Sequence, residues 1–297
     1  MIPPRDREYL ARRRERSRHG RRSLLVLLGA LYLATLPASG ATTLRTVTFP
    51  GADGATLQGW LYEPTPTSRR HPAVVAMHGC SGLIKAGKPR QHFEDWGQRL
   101  AGLGFEVLFP DSYTSRGVGS QCKKRDRAVS PSRQRTDDAN AALTFLETRG
   151  NVKAQAISLL GWSNGGSTVL YAVEPRHAPR SSADFAKAAA FYPGCRTPLE
   201  SRTWKTRMPL LVLIGAADDW TSAQPCVDLV ARAKADGANA DIVTYPGAYH
   251  DFDQPDLRVH SVGGLAYTAS GTGRVHTGTN PEARADAVKR ISAYLAR

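Results

Sequence analysis

The sequence predicts an α/β protein in which a mostly parallel β-sheet carries helices on both faces. The first observation is that short runs of strand length alternate along the chain with segments whose apolar residues have helical spacing. The second is that several of these runs are apolar throughout, as in strands that are buried on both faces of a parallel sheet. Alternating strands and helices favour this architecture over an antiparallel sandwich or a helical bundle.

The individual elements follow from these patterns in chain order. Strands are expected at residues 44–49, 56–62, 73–77, 105–110, 157–160, 188–192, 210–214 and 240–245. Helices are expected at 92–103, 137–146, 167–173, 227–235 and 282–295, and Gly104 ends the first of them as a C′ residue. Two long polar segments, 112–134 and 254–281, are predicted to be loops.

Length and charge limit the domain organisation and the partners. The 297 residues are 41% hydrophobic, which is enough for one large core, and we expect a single domain over residues 42–297. The formal net charge is +14, but residues 1–22 hold nine arginines against three acids. The remaining excess is scattered, without a basic helix or interleaved aromatic residues. This pattern favours a solvated basic surface over nucleic-acid binding.

Residues 1–41 have the organisation of an export signal. An arginine-rich start precedes the apolar run 23–36, which Pro37 ends, and small residues up to Ala41 offer a cleavage site. Arg21 and Arg22 resemble the twin-arginine pattern. Fourteen apolar residues are short for a membrane span, which needs ~20. We therefore expect a periplasmic or secreted protein with no stable membrane association after cleavage; an uncleaved anchor is the alternative.

Residues 157–166 contain the strongest functional signal. A strand-like run leads into Gly161, Ser163 and Gly165, which spell G-x-S-x-G, and helix formers follow. In this context the pattern is a nucleophile elbow, a sharp turn that strains the serine backbone and leaves the hydroxyl at the carboxyl end of the sheet. Side chains at the two glycines are expected to collide with neighbouring elements. Although an ordinary glycine-rich turn is the alternative, the flanking strand and helix favour Ser163 as a nucleophile.

A serine nucleophile needs a histidine base and an orienting carboxylate. The chain supplies them after Ser163 in the order acid then histidine, with Asp218 beyond one strand and His250 beyond the next. Carboxyl ends of parallel strands meet at one edge of the sheet, so these side chains are expected to converge.

Other residues compete for these two roles. Asp219 adjoins the preferred acid and is the alternative orienting carboxylate, or a helix N-cap. Asp251 and Asp253 adjoin the preferred histidine but are expected to be solvated. His260 and His276 occur late enough to act as the base, but no strand precedes them.

The oxyanion that forms during acyl transfer requires N–H donors. The loop His78-Gly79-Cys80-Ser81-Gly82 directly follows a predicted strand, where the backbone N–H of Cys80 would be one donor. Asn164, directly after Ser163, would supply the other. His78 is expected to support this loop, and a plain strand-to-helix turn is the alternative interpretation.

From His71 onward the chain resembles the dienelactone hydrolases. The matching segments are 78–82, 104–111, 161–166, 215–218 and 249–252. The resemblance implies an α/β-hydrolase fold, hydrolysis of an ester or lactone, and a triad of Ser163, Asp218 and His250. Two departures point to an ordinary serine esterase: the founding enzymes use a cysteine nucleophile, and they carry a glutamate where this chain has Gly79. The family also places a substrate-binding arginine near Arg116, which could bind an anionic group or be a solvated surface residue.

The expected reaction is therefore acyl transfer to Ser163 from a small-molecule ester or lactone, followed by hydrolysis. It needs no cofactor. A serine peptidase, a polyester or carbohydrate esterase, and a non-catalytic binding protein on the same scaffold are the alternatives. The sequence leaves the substrate and the oligomeric state open.

Four cysteines suit an exported protein, and none has a close Cys or His partner at zinc-ligand spacing, so a metal site is not expected. Three disulfide connectivities are possible. The implied fold favours Cys80–Cys122 and Cys195–Cys226, because each pair starts from neighbouring strand ends at one edge of the sheet. Four separate thiols are the alternative.

Overall fold

The structure is a computed structural model that describes residues 42–65 and 69–297, so the predicted export signal, residues 1–41, lies outside the described residues. The strands are β1 (Thr43–Pro50), β2 (Thr56–Glu63), β3 (His71–Met77), β4 (Ile84–Lys85), β5 (Lys88–Pro89), β6 (Glu106–Asp111), β7 (Val152–Trp162), β8 (Ala188–Phe191), β9 (Leu210–Gly215), β10 (Ala240–Tyr245), β11 (His260–Val262) and β12 (Val275–Thr277). The helices are α1 (Gln91–Gly102), α2 (Gln134–Glu147), α3 (Asn164–Ala172), α4 (Arg196–Glu200), α5 (Ala223–Ala235) and α6 (Pro281–Ala296), with 3-10 turns at Thr114–Arg116 and Pro175–His177.

Eight strands form one sheet in the order β1-β2-β6-β3-β7-β8-β9-β10. The six strands from β6 to β10 along this order run parallel, whereas β1 and β2 are antiparallel to their neighbours. The pairs β4–β5 and β11–β12 form two small separate hairpins. The prediction of a mostly parallel α/β sheet is confirmed.

The central strands are buried because they are apolar on both faces. Every residue of β6, β8 and β9 is buried, as are the last five residues of β3. At the carboxyl end of β7, the Trp162 ring stacks between Phe109 and Phe191, at 6.1 and 5.6 Å between ring centroids. The strand ends that carry the predicted site residues are therefore held by a dense aromatic core.

Several element boundaries differ from the expectations. Strand β7 begins at Val152 rather than 157, because its first half alternates between buried and exposed residues and lacks a continuous apolar run. Helix α2 begins at Gln134 rather than 137, with polar residues in its first turn. The five-residue α4 was not predicted. The polar segment 254–281 contributes the hairpin β11–β12, and its Thr277 forms an isolated bridge with His250.

Both expected disulfides are present. Cys80 is bonded to Cys122 and Cys195 to Cys226, with Cα atoms 4.9 and 5.0 Å apart. Strands β3 and β6 are neighbours, as are β8 and β9, which is the geometry that the pairing requires. Over residues 42–65 and 69–297, no group of three or more His, Cys, Asp or Glu side chains is arranged to hold a metal ion. No helix in the same ranges is long and apolar enough to span a membrane.

Candidate active site

Ser163 occupies the turn between β7 and α3 in a strained backbone conformation, with φ 53° and ψ −114°. Its N–H donates to the carbonyl of Phe191 at 2.9 Å, which fixes the turn against β8. A Cβ at Gly161 would collide with the Gly165 carbonyl, and a Cβ at Gly165 would collide with the Met77 carbonyl. The expected collisions at both glycines are confirmed, and the turn has the geometry of a nucleophile elbow.

His250 connects Ser163 to Asp218. Its Nε2 lies 2.9 Å from the Ser163 Oγ, and its Nδ1 lies 2.8 Å from the Asp218 Oδ2. The three residues are all buried, and Asp218 also accepts hydrogen bonds from the backbone N–H groups of Trp220 and Thr221 at 2.9 and 2.8 Å. The carboxylate therefore has a fixed position beyond the end of β9 and faces the imidazole.

The electrostatics of His250 suit a base. Burial alone lowers the pKa of the imidazole, but the charge and hydrogen bond of Asp218 outweigh burial and hold the pKa above its ordinary value. The rings of Tyr192 and Trp220 pack against the imidazole, with ring centroids 4.5 and 4.6 Å away. With its Nδ1–H donated to Asp218, the neutral ring leaves Nε2 free to accept the serine proton.

The competing candidates are placed elsewhere. Asp219 pairs with His276, accepting from the backbone N–H and from the ring Nδ1 at 2.8 Å each. That pair is about half exposed and attaches β12 to the turn after β9. His260 is exposed, and its Nδ1 lies 2.9 Å from the Arg258 carbonyl. Neither alternative histidine contacts Ser163.

The expectation that Asp253 is solvated is wrong, because its carboxylate is fully buried beneath the site. Oδ2 accepts hydrogen bonds from the ring N–H groups of His92, Trp96 and Trp162 at 2.8 to 2.9 Å. Oδ1 accepts from the Tyr192 hydroxyl at 2.7 Å. This carboxylate joins α1 to the ends of β7 and β8. The sequence contains these four aromatic side chains, each with a donor that needs an acceptor when buried. Only the fold shows that the four donors converge on one carboxylate. Asp251 is half-buried and accepts from the Thr277 hydroxyl.

The two expected oxyanion donors, Cys80 and Asn164, line the same cleft as Ser163. Asn164 begins α3, so its N–H has no partner within the helix. In the described part of the chain no hydrogen bond uses the Cys80 N–H, whereas its carbonyl accepts from Gln121 at 2.8 Å. Both N–H groups are therefore available at the rim of the cleft.

His78 supports the loop before Cys80, as expected. Its ring is fully buried, and burial holds its pKa well below the ordinary value, so the ring is neutral. Nδ1–H donates to the Gly79 carbonyl at 2.8 Å, and Nε2 accepts from the Ser112 N–H at 3.3 Å. This tautomer ties the loop to the end of β6.

Arg116 does not face the cleft. All five N–H donors of its guanidinium are used in hydrogen bonds to Asp53, Asp138 and the Ser112 carbonyl. These contacts attach the 3-10 turn to α2 and to the β1–β2 turn. The structure therefore contradicts the expectation that Arg116 binds an anionic substrate group, because no donor remains to bind it.

Two clefts meet at Ser163. The larger, about 390 Å³, is here called the arginine cleft because Arg125, Arg127 and Arg196 line it and no acidic residue does. The smaller, about 290 Å³, is lined by His92 and His250 among others. None of the three arginines forms an ion pair with any residue that the structure describes. Sequence patterns did not single out these three arginines, because the loop 112–134 and α4 meet at the site only in the folded chain.

Comparisons with known proteins identify the family. Residues 57–297 match the family model of the dienelactone hydrolases. A protein of Methylorubrum extorquens provisionally named carboxymethylenebutenolidase is 28% identical over 244 residues, which are 74% of this chain and 79% of the relative. A Bradyrhizobium protein provisionally named 2-oxo-3-(5-oxofuran-2-ylidene)propanoate lactonase is 27% identical, over 69% of this chain and 82% of the relative. The crystal structure of a provisionally assigned dienelactone hydrolase from Klebsiella pneumoniae has a TM-score of 0.65 at 18% identity, over 87% of this chain and all of that one. Because the match extends from β2 to the last residue, the chain belongs to the dienelactone hydrolase family.

Proposed function

We propose that the protein is a serine hydrolase that cleaves carboxylic esters or lactones of small molecules through an acyl-enzyme. The observation that carries this proposal is the continuous hydrogen-bonded chain from the Ser163 hydroxyl through His250 to Asp218. Membership of the dienelactone hydrolase family and the names of the two relatives support ester or lactone bonds as the target.

In the first half of the reaction, Ser163 Oγ attacks the substrate carbonyl while His250 Nε2 takes the serine proton. Asp218 stabilises the imidazolium that results. The oxyanion accepts from the backbone N–H groups of Cys80 and Asn164, where one such donor is worth ~3 kcal/mol. His250 then gives the proton to the leaving oxygen, and the carbon–oxygen bond breaks.

In the second half, water attacks the acyl-enzyme with His250 again as the base, and Ser163 is released. For an ester, the alcohol has already departed. For a lactone, the leaving oxygen stays attached to the acyl group, so the product is a single hydroxy acid.

The arginine cleft supports an anionic substrate. Arg125, Arg127 and Arg196 stand beside Ser163 without acidic neighbours in the cleft, and guanidinium groups bind carboxylates well. The proposed substrate is therefore an ester or lactone that carries a carboxylate or a similar anionic group.

We also propose that the protein is exported to the periplasm or secreted after cleavage near Ala41. The two disulfides support this location, because disulfides persist in oxidising compartments. N-terminal sequencing of the protein recovered from a periplasmic fraction tests this part. A native N-terminus at Met1 in a membrane fraction would contradict it.

The test of the function is hydrolysis of paired short-chain esters and lactones, each pair with and without a carboxylate. Wild-type protein is expected to hydrolyse members of the panel and to favour the acidic member of a pair. The Ser163→Ala variant is expected to lose activity on all of them. A wild-type protein with intact disulfides that hydrolyses none would contradict the proposal.

A further inference from the structure

Arg135 lies directly behind the two loops that flank Ser163. It is the second residue of α2 and is fully buried. Its Nη1 donates to the side-chain oxygen of Asn164, and its Nη2 donates to the His78 carbonyl at 2.6 Å. One planar guanidinium thus bridges the segment after β3 and the first residue of α3.

These are the two segments that carry the proposed oxyanion donors. The His78 carbonyl is two residues before the N–H of Cys80, and Asn164 supplies the other N–H from the residue that Arg135 holds. The Tyr113 hydroxyl donates to the same Asn164 oxygen at 3.0 Å, and the guanidinium carbon of Arg135 lies 5.2 Å from the centre of the Tyr113 ring. One rigid, planar group therefore connects the two segments that carry the proposed donors.

The buried position of the Arg135 guanidinium is energetically unfavourable for its charged form. No carboxylate within the described residues forms an ion pair with it, and its Nε is buried without a hydrogen-bond partner. The nearby Asp138 is bonded to Arg116, and Asp111 accepts from the backbone at Tyr113 and Thr114. Removing an unpaired ion from water is strongly unfavourable.

Its position relative to the helices adds to that cost. Arg135 is in the first turn of α2 and contacts the first residue of α3, and both are the positive ends of helix dipoles. Burial, the missing counter-ion and the two helix ends all oppose a cation here. All of them also raise the positive potential behind the site where the oxyanion would form, which is the arrangement that stabilises negative charge in a transition state.

We propose that Arg135 is a positioning residue of the oxyanion hole, which fixes the spacing of the Cys80 and Asn164 N–H groups and adds positive potential behind them. This inference rests on the proposed serine-hydrolase function. Arg135 lines neither cleft, so it acts through the two loops rather than on the substrate. Because the oxyanion forms only as the serine attacks, and is absent from the bound substrate, the effect on a neutral ester belongs to kcat rather than to KM.

The test compares Arg135→Met and Arg135→Lys with wild type on one ester. We expect the methionine variant to lower kcat about 10²-fold, the loss typical of one oxyanion donor, with KM changed less than about threefold. Lysine keeps the charge but lacks the bridging fork, so an intermediate loss is expected. Affinity for a trifluoromethyl ketone, which forms an oxyanion adduct with a serine, should fall in parallel with kcat/KM.

Arg135 contacts the first residue of α3, and Arg207 offers a matched control at the C-terminal end of that helix. Its guanidinium donates to the carbonyls of Ala172 and Glu174 at the C-terminal end of α3, far from the elbow. We expect Arg207→Met to lower the unfolding temperature and to leave kcat and trifluoromethyl ketone affinity unchanged. Circular dichroism and disulfide mapping verify folding in every variant.

A second variant keeps the inference testable if Arg135→Met does not fold. Asn164→Ala removes the side-chain oxygen that Arg135 holds but keeps the backbone N–H. Asn164→Ala should lower kcat less in the Arg135→Lys background than in wild type, since both substitutions break the same contact between Arg135 and the Asn164 side chain.

The two proposals can fail separately. If wild type hydrolyses esters and Ser163→Ala does not, but folded Arg135 variants keep wild-type kcat or lose no more than Arg207→Met, the Arg135 inference is wrong. Additive losses for Asn164→Ala and Arg135→Lys would also overturn it. If wild type hydrolyses no ester or lactone, both proposals fall.

Discussion

At the scale of single residues, the proposed chemistry depends on how His250 is held. Asp218 fixes its Nδ1, two aromatic rings pack against it, and Nε2 is directed at the Ser163 hydroxyl. Asp219, one residue further along the chain, is attached instead to the β12 segment through His276. The two adjacent aspartates therefore have different roles, one on the proposed base and one on a structural hairpin.

The raised pKa of His250 predicts how kcat/KM depends on pH. The ring must be neutral to accept the serine proton, so kcat/KM should rise with pH through the pKa of His250 in the free enzyme. Because Asp218 raises that pKa, the rise is expected above the ordinary histidine range. In Asp218→Asn the midpoint should move to lower pH and the plateau should fall sharply. An unchanged midpoint in that variant would contradict the assigned partner.

The arginine cleft makes a separate prediction about substrate charge. Arg127 lines the cleft and its guanidinium lies 4.7 Å over the Tyr267 ring, without an acidic partner among the described residues. Arg127→Ala is expected to raise KM for a carboxylate-bearing ester about tenfold, since a charge-assisted hydrogen bond is worth ~1.5–3 kcal/mol, and to change KM for the neutral analogue much less.

Arg116→Ala is the matched control for charge. It removes the same formal charge from a site paired with Asp53 and Asp138, so the preference between acidic and neutral esters should stay as in wild type. Equal changes in KM for both esters in Arg127→Ala would contradict the cleft's proposed role.

At the scale of elements, Asp253 joins three pieces of the fold under the site. His92 and Trp96 belong to α1, Trp162 ends β7, and Tyr192 follows β8. Burial raises the pKa of the Asp253 carboxyl, but the charge and hydrogen bond of His92 outweigh burial and hold it below its ordinary value. Burial in turn lowers the pKa of His92, and Asp253 holds it above the ordinary value.

Asp253→Asn should therefore be strongly destabilising. Loss of one member of a buried ion pair costs about 3–5 kcal/mol, measured as the free energy of unfolding in urea. In wild type, the His92–Asp253 pair adds to the free energy of unfolding at pH values below the pKa of His92 in the unfolded chain. This stabilisation is lost as the pH rises through the higher pKa of His92 in the folded protein. This loss on the alkaline side should disappear in the variant. Asp251→Asn, at a half-buried neighbour, is the control and should cost far less.

The main elements and the convergence of Ser163, His250 and Asp218 could be predicted from the sequence because each follows from local signals. Apolar runs give the central strands, glycines mark the elbow, and Asp218 and His250 follow successive strands. The burial of Asp253 and the cleft position of Arg127 depend on contacts between distant segments. Neither leaves a periodic pattern, so the sequence suggested a solvated Asp253. The family resemblance offered Arg116, rather than Arg127, as a candidate substrate-binding arginine.

At the scale of the whole molecule, the two disulfides lie on opposite sides of Ser163 and have different expected roles. Cys80–Cys122 attaches a proposed oxyanion donor to the loop 112–134, whereas Cys195–Cys226 attaches the segment after β8 to α5. The bonded cysteines are 42 and 31 residues apart, separations for which chain entropy gives ~3–4 kcal/mol of stability each.

Paired serine substitutions should separate these roles. Replacing Cys195 and Cys226 by serine is expected to lower the free energy of unfolding with kcat nearly unchanged. Replacing Cys80 and Cys122 should lower both, because the Cys80 backbone loses its attachment beside Ser163. Urea unfolding and ester hydrolysis of the two double variants provide the comparison. Equal kcat in both would contradict a catalytic contribution from the first disulfide.

The central claim is that Ser163 is a nucleophile activated by His250, and labelling with a fluorophosphonate tests it most directly. Peptide mapping by mass spectrometry should find one adduct on wild-type protein, at Ser163. Labelling should be absent in Ser163→Ala and slowed by orders of magnitude in His250→Ala and Asp218→Asn, while Asp219→Asn reacts at nearly the wild-type rate. A folded wild-type protein that takes up no label, or an adduct at another serine, would contradict the account.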